Sequence, residues 1–68
     1  MNHKLSDWLF QDNIIYREDT NGNKIVTMVW KHDVFFCNVG HDDQIIFDMI
    51  QAKHWCDAKS VEAGFILS

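Results

Sequence analysis

The chain has 68 residues, of which 47% are apolar, and it contains three Trp, five Phe and no Pro. A chain of this length forms a single domain over residues 1–68, and this composition excludes a low-complexity or disordered chain. Ten acidic residues against six scattered basic residues give a net charge of −4, which excludes the concentrated basic face of most nucleic-acid-binding domains.

The small size also predicts a partner. A domain of this length buries only about 60% of its unfolded surface, so its core is small. Surplus apolar side chains on so small a body often lie against another protein. We therefore expect a protein partner, with nucleic acid an unlikely ligand.

The sequence also predicts a compartment. Its two cysteines, Cys37 and Cys56, are too few for a disulfide framework. No N-terminal stretch has the pattern of a signal peptide, and no apolar run is long enough to span a membrane. We expect a cytoplasmic protein that does not interact with membranes.

Residues 1–12 allow two interpretations. Ser6 is placed to cap a short helical turn through Asp7 to Phe10, where an acidic residue suits the helix dipole. The alternative is an irregular lead-in that places Trp8 and Phe10 on a sheet. We favour the short helical turn.

Residues 13–39 carry the signals of an antiparallel sheet. Asn21-Gly22 lies between two apolar runs, and this dipeptide accepts the two successive positive φ values of a tight hairpin turn. Lys31–Asp33 is either a second hairpin loop or the middle of one long bent strand, and we favour a three-strand meander. The predicted strands are the runs rich in β-branched and aromatic residues, 13–18, 25–30 and 34–39.

A helix is predicted over residues 42–57, with Asp42 or Asp43 as its N-terminal cap. Residues 63–67 are a predicted last strand, which gives the order β-β-β-α-β. The predicted fold is therefore α+β, with a small antiparallel sheet of three to four strands and one main helix packed on one face. The helix would face the sheet with an apolar stripe of Ile45, Met49, Ala52 and Cys56.

Two cysteines and two histidines suggest a zinc site at Cys37, His41, His54 and Cys56. Such residues bind zinc tetrahedrally, and a structural metal is a common way to stabilise a small domain. Residues two apart on a helix differ by about 200° in direction, so His54 and Cys56 would point to nearly opposite sides. We expect buried cysteines with no metal or cofactor, and a zinc-stabilised module stays an alternative.

The sequence shows no pattern typical of a catalytic site. His32-Asp33 and His41-Asp42 place suitable residue types side by side, but adjacent residues in a strand face opposite ways. No phosphate-binding glycine loop is visible, and so short a chain cannot enclose a substrate pocket of ordinary volume. We expect a protein that is not an enzyme and has no catalytic residues.

The predicted helix offers a candidate contact face. Phe47, Ile50 and His54 fall on the side away from the apolar stripe, an arrangement typical of helix-in-groove recognition. Asp42 and Asp43 would steer a basic partner towards this face. The alternative is that the N-terminal segment folds over these residues and buries them.

A sheet edge is a second candidate contact. The predicted last strand contains Phe65-Ile66-Leu67 and has no Lys or Pro to protect it. Such a strand lies inside the sheet or pairs with another chain. A homodimer through a sheet edge is therefore expected.

Together these features predict a small, acidic, non-enzymatic protein-binding module that modulates or inhibits a larger partner. Proteins of this type are common among phage and mobile-element regulators that block host machinery, which is an analogy of type only. The alternative from another class is a nucleic-acid-associated regulator that stacks single-stranded bases on Trp30, Phe35 and Phe36.

Overall fold

The computed structural model describes residues 3–67 and shows an α+β fold with one helix on one face of an antiparallel sheet. The fold class and the single helix are confirmed. The sheet has five strands in chain order, so the prediction of three to four strands was too low. The elements are β1 (Leu9–Gln11), β2 (Ile14–Glu18), β3 (Lys24–Lys31), β4 (Val34–Val39), β5 (Asp42–Ile46) and α1 (Met49–Glu62).

The predicted start of the helix is instead the last strand of the sheet. Asp42 and Asp43 open β5, so the prediction that they cap a helix was wrong. Gly40, at a φ of 61°, closes a short turn after β4 and brings Asp43 opposite Asn38. Consecutive apolar residues at Ile45 and Ile46 fit a strand as well as a helix, which is why the helical spacing extended too far.

The helix begins at Met49 and ends at Glu62, later at both ends than the predicted 42–57. Asp48 is the N-terminal cap, and its side chain accepts a hydrogen bond of 2.8 Å from the backbone N–H of Ile50. This cap satisfies one of the backbone donors that a helix leaves unpaired at its start.

Neither terminal segment has the predicted structure. No helical turn forms after Ser6; the chain instead enters β1, which pairs with β2. Residues 63–67 do not join the sheet. Ile66 instead forms an isolated parallel bridge with Lys4. The backbone N–H of Leu5 donates to the Ile66 carbonyl at 2.8 Å, so the two terminal segments hold each other. The edges of the sheet are therefore β1 and β5, and the predicted edge strand at 63–67 was wrong.

The predicted hairpin at Asn21-Gly22 forms, but with a longer loop than a two-residue turn. Only Gly22 has a positive φ, of 84°, and the loop closes through Asp19. Hydrogen bonds from the backbone of Asn23 and from its side chain lower the pKa of the Asp19 carboxyl. Successive positive φ values occur instead at His32 and Asp33, 54° and 63°, in the β3–β4 turn. The meander with a second hairpin is confirmed.

The core lies between α1 and the side of the sheet that it faces. Strand residues alternate between two faces, and every buried strand residue lies on the helix side. Cys56 and Ala52 of the predicted stripe are fully buried against them. The other two members of the stripe are exposed: Ile45, at 53%, lies in β5 on the face away from the helix, and Met49, at 40%, is the first residue of α1. The buried strand residues on this side are Ile15, Arg17, Val26, Met28, Phe35, Cys37 and Val39.

Arg17 is buried in this layer with only 4% of its surface exposed. Its Nη1 donates to the carbonyl of Ser6 at 2.8 Å, and its Nη2 lies 3.5 Å from Oδ1 of Asp57 on α1. The guanidinium also stacks over the Trp8 ring, 4.5 Å from its centre. One side chain on β2 therefore joins the N-terminal segment and the helix to the sheet.

Substitution of Arg17 should cost more stability than substitution of its ionic partner. Arg17→Met leaves the Ser6 carbonyl and the Asp57 carboxylate without their partner and removes the contact with Trp8, so we expect a loss of about 2 to 4 kcal/mol. Asp57→Asn keeps the Ser6 hydrogen bond and the Trp8 contact of Arg17, so it should cost less, about 1 to 2 kcal/mol. Urea unfolding followed by circular dichroism measures both values. Equal losses, or no loss in Arg17→Met, would contradict this account.

Candidate functional site

The three apolar and aromatic positions predicted to face outward are exposed in the structure. Phe47 is 78% exposed and Ile50 is 66% exposed, and His54 is exposed beside them on the helix. Ala52 and Cys56 point to the sheet, and a rotation of about 100° per residue places Ile50 and His54 on the opposite side. Phe47 lies in the link before α1 rather than on the helix.

The N-terminal segment does not cover these residues. Ser6 donates its backbone N–H to the Glu18 carbonyl at 2.9 Å, at the far end of β2. Trp8 packs on Arg17, away from the start of the helix. The alternative in which residues 1–12 bury this face is therefore not what the described part of the segment, residues 3–12, does.

Two further exposed apolar residues lie at the same end of the sheet. Trp30 is opposite Phe35, and Phe35 is opposite Ile46, the residue before Phe47. Trp30 is 55% exposed and Met49, at the start of α1, is 40% exposed. We call Trp30, Phe47, Met49 and Ile50 the apolar corner.

Sequence reasoning missed half of this corner for identifiable reasons. Met49 was assigned to the buried stripe because the helix was started too early. Trp30 was predicted as a ring for base stacking in the nucleic-acid alternative. The helix does not extend over the end of β3, so the ring stays exposed and stacks on Phe35, with centres 6.4 Å apart and planes at 16°.

Local structure fixes the apolar corner in place. Asp48 caps α1 through the Ile50 N–H, so the link that carries Phe47 is anchored directly after it. Trp30 is held by its ring contact and by a hydrogen bond of 3.0 Å from its backbone N–H to the Asn13 carbonyl. Side chains that are already ordered lose less conformational entropy on binding, which favours a contact surface.

The acidic pair predicted to accompany this surface lies elsewhere. Asp42 and Asp43 are exposed at the opposite end of β5, about 13 Å along an extended strand from Phe47. Asp43 accepts a hydrogen bond of 2.6 Å from the Asn38 side chain. The structure therefore does not bring Asp42 and Asp43 together with Phe47, Ile50 and His54.

Other carboxylates occupy the end of the sheet where the corner lies. The β1–β2 turn, the β3–β4 turn and the β5–α1 link all lie at this end, because the strands run antiparallel in chain order. Each of these three segments contains an exposed aspartate. The apolar corner is thus flanked by Asp12, Asp33 and Asp48.

The four residues considered for zinc do not converge. Cys37 and Cys56 are both buried in the core as free thiols, and Cys37 Sγ donates to the Phe35 carbonyl at 3.7 Å. His41 is exposed in the β4–β5 turn and His54 on the outer side of α1. Within residues 3–67, no group of three or more His, Cys, Asp or Glu side chains is placed to hold a metal ion.

Burial controls the chemistry of the two thiols. Loss of solvation raises the pKa of the Cys56 thiol well above its usual range, and the adjacent Cys37 raises it further. Burial also raises the pKa of the Cys37 thiol, against a smaller opposing effect of the neighbouring Cys56. Because the thiolate is the reactive form, neither sulfur is suited to act as a nucleophile.

The aromatic residues considered for nucleic-acid stacking do not form one platform. Phe35 is buried, at 6% exposure, under the Trp30 ring on the helix side of the sheet. Phe36 follows it in the strand and points to the opposite face. Stacking of successive bases needs rings on one surface, so this arrangement gives the nucleic-acid alternative no support.

A groove of about 520 Å³ lies where the end of α1 meets the β3–β4–β5 corner, lined in part by Lys24, Lys59 and Phe65. Its two lysines are engaged elsewhere. Lys24 Nζ lies 4.9 Å from the centre of the Tyr16 ring, and Lys59 Nζ lies 4.0 Å from the Glu62 carboxylate. Convergent polar groups mark a ligand site, and the lysines that line this groove do not supply them.

Comparison with protein families, curated proteins and solved structures found none that is similar to this chain. In residues 3–67, no helix is long and apolar enough to cross a membrane.

The buried thiols should react only when the protein opens. At mildly alkaline pH, we expect a disulfide reagent such as DTNB to label native protein at a rate that rises with urea in parallel with unfolding. Both thiols should react at once in concentrated guanidinium, which is the control. Rapid labelling of either thiol in the native state would show that the Cys37–Cys56 pair is accessible and would contradict this packing.

Proposed function

We propose that this chain is a small non-enzymatic protein-binding module that modulates a larger partner through the apolar corner. The observation that carries the proposal is the exposure of Phe47, at 78%, next to Ile50, at 66%. Large apolar side chains at the centre of an interface supply most of its binding free energy. A surface that holds them in fixed positions without covering them is suited to dock into a pocket or groove.

The residues around the corner indicate the chemistry of the partner. Asp33 and Asp48 flank the apolar side chains, and the whole chain carries a net charge of −4. A complementary surface would present an apolar pocket with a basic rim, because opposite charges at the rim steer association and exclude wrong partners. Asp42 and Asp43 lie too far away to form this rim and would contribute only to the long-range field.

The shape of the corner also limits how it binds. Ile50 and His54 lie on one side of α1, one turn apart, and Phe47 precedes the helix. A partner groove would therefore receive the first turns of the helix together with the link before it. Exposed Val61, at 60%, lies on the same helix but at its other end and would stay outside the contact.

The proposal is tested by a pull-down from native host lysate after nuclease treatment, with retained proteins identified by mass spectrometry. The baits are wild type, Phe47→Ser/Ile50→Ser and the matched control Val61→Ser, each checked for folding by circular dichroism. Removal of two anchors should weaken binding at least about thirtyfold, while Val61→Ser should retain the partner at the wild-type level.

The three baits distinguish binding through the apolar corner from binding through the other end of α1. One stoichiometric protein that is retained by wild type and by Val61→Ser, and lost by the double variant, supports the proposal. The partner should then bind purified wild type in a titration with the same order of affinities. Equal retention by all three baits, or retention of no protein by any of them, would overturn it.

A further inference from the structure

The face of the sheet opposite α1 carries a continuous apolar row. Ile14, Val29, Phe36 and Ile45 are aligned across four neighbouring strands, since each pair is in register with the next. The adjacent row on the same face is more polar and crosses all five strands. It consists of Leu9, Tyr16, Thr27, Asn38 and Asp43.

No segment within residues 3–67 packs over this face. The helix lies on the other side with Val26, Met28 and Cys37, and the terminal segments meet Arg17 and the core there as well. Phe36 is 39% exposed and Ile45 is 53% exposed. The solvent side of an antiparallel sheet is normally polar, so an apolar row across its middle indicates a contact.

We propose that this face packs against the same face of a second copy of the chain, as two sheets in a sandwich. The two-fold axis runs parallel to β3, so each β3 lies over the other and β2 lies over β4 of the second copy. This arrangement places Val29 against its own counterpart and Phe36 against Ile14. Sheets that pack in this way are about 10 Å apart and cross at about 30°.

Charge complementarity selects this partner and this axis. On the open face, Lys24 lies over the Tyr16 ring, with Nζ 4.9 Å from the ring centre, in the β2–β3 half of the sheet. Asp43 lies at the β5 edge in the same row as Tyr16. A two-fold axis along β3 exchanges the two halves, so Lys24 of each copy faces Asp43 of the other. Lys31, on the same face at the end of β3, meets its own counterpart near the axis, but both ammonium groups reach solvent there at the rim. The Lys24–Asp43 pairs make the rest of the face complementary to itself, as a symmetric dimer requires.

The available area fits a weak dimer. Five strands about 4.8 Å apart, with about 17 Å of paired length, give a footprint on the order of 400 Å². With side-chain relief included, two copies would bury on the order of 1,000 Å² in total, which is the lower limit for a specific interface. The dimer should therefore be reversible, with a dissociation constant in the micromolar range or weaker.

This proposal is independent of the apolar corner and replaces the expected edge-to-edge homodimer with a face-to-face one. Phe47, Met49 and Ile50 lie at the end of the sheet and on the helix, outside the open face. A dimer of this kind would carry two apolar corners, both free to bind. Failure of one proposal leaves the other untouched, because the substitutions that test them do not overlap.

The test is sedimentation equilibrium of the full chain from micromolar to millimolar concentration. Wild type should associate to a dimer. Val29→Lys should be monomeric, because it buries two ammonium groups against each other at the centre of the interface, away from solvent. Val61→Ser, on the outer surface of α1, is the control and should dimerise like wild type. Circular dichroism and urea unfolding establish that each variant is folded.

A charge exchange tests the orientation without disturbing the apolar row. Lys24→Asp and Asp43→Lys should each weaken the dimer by about fivefold, because each removes two exposed ion pairs. The double variant Lys24→Asp/Asp43→Lys restores opposite charges and should return the dissociation constant to near the wild-type value. Additivity of the two losses, with no recovery, would overturn the proposed axis.

Two other results would overturn the proposal as a whole. One is a wild-type chain that stays monomeric at every concentration. The other is a monomer that binds single-stranded oligothymidine through this face, with the affinity lost in Val29→Lys, because the occupant would then be nucleic acid.

Discussion

The structure depends on one constraint, which is that a single helix of 14 residues must cover a five-stranded sheet. A helix is about 10 Å wide and strands are about 4.8 Å apart, so α1 can cover roughly two or three strands of one face. It lies over β3, β4 and β5. The rest of that face must be covered by other segments, and the opposite face receives no cover from the helix.

Arg17 and the terminal segments complete the helix side of the sheet. The guanidinium bridges the gap between β2, the Ser6 carbonyl and Asp57, and Leu5 packs beneath with the bridge to Ile66. The cover ends before the turns at the other end of the sheet, which leaves the apolar corner exposed. Both candidate contact surfaces thus follow from the same shortage of covering structure in a short chain.

The sequence predicted those parts of the fold that short-range chemistry determines. The hairpin at Asn21-Gly22 and the burial of Cys56 have strong local signals, a turn dipeptide and a helical stripe. The assignment of Asp42 to a helix cap failed because Gly40 signals a turn but does not determine which element follows it, and here a strand follows. The sequence predicted correctly that Phe47 is exposed, but it placed Phe47 on the helix rather than in the link before it. The role of Arg17 was not predicted, because it depends on contacts with segments that are distant in the chain.

Solvent paramagnetic relaxation of isoleucine methyl groups, measured with a neutral nitroxide over a range of protein concentrations, tests this account most directly. In dilute solution, Ile14, Ile45 and Ile50 should all relax strongly while buried Ile15 does not. As concentration rises, Ile14 and Ile45 should become protected and Ile50 should stay accessible, because a second copy covers the open face and leaves the apolar corner free. Unchanged relaxation of Ile14 and Ile45 at all concentrations, or strong relaxation of Ile15, would contradict the account.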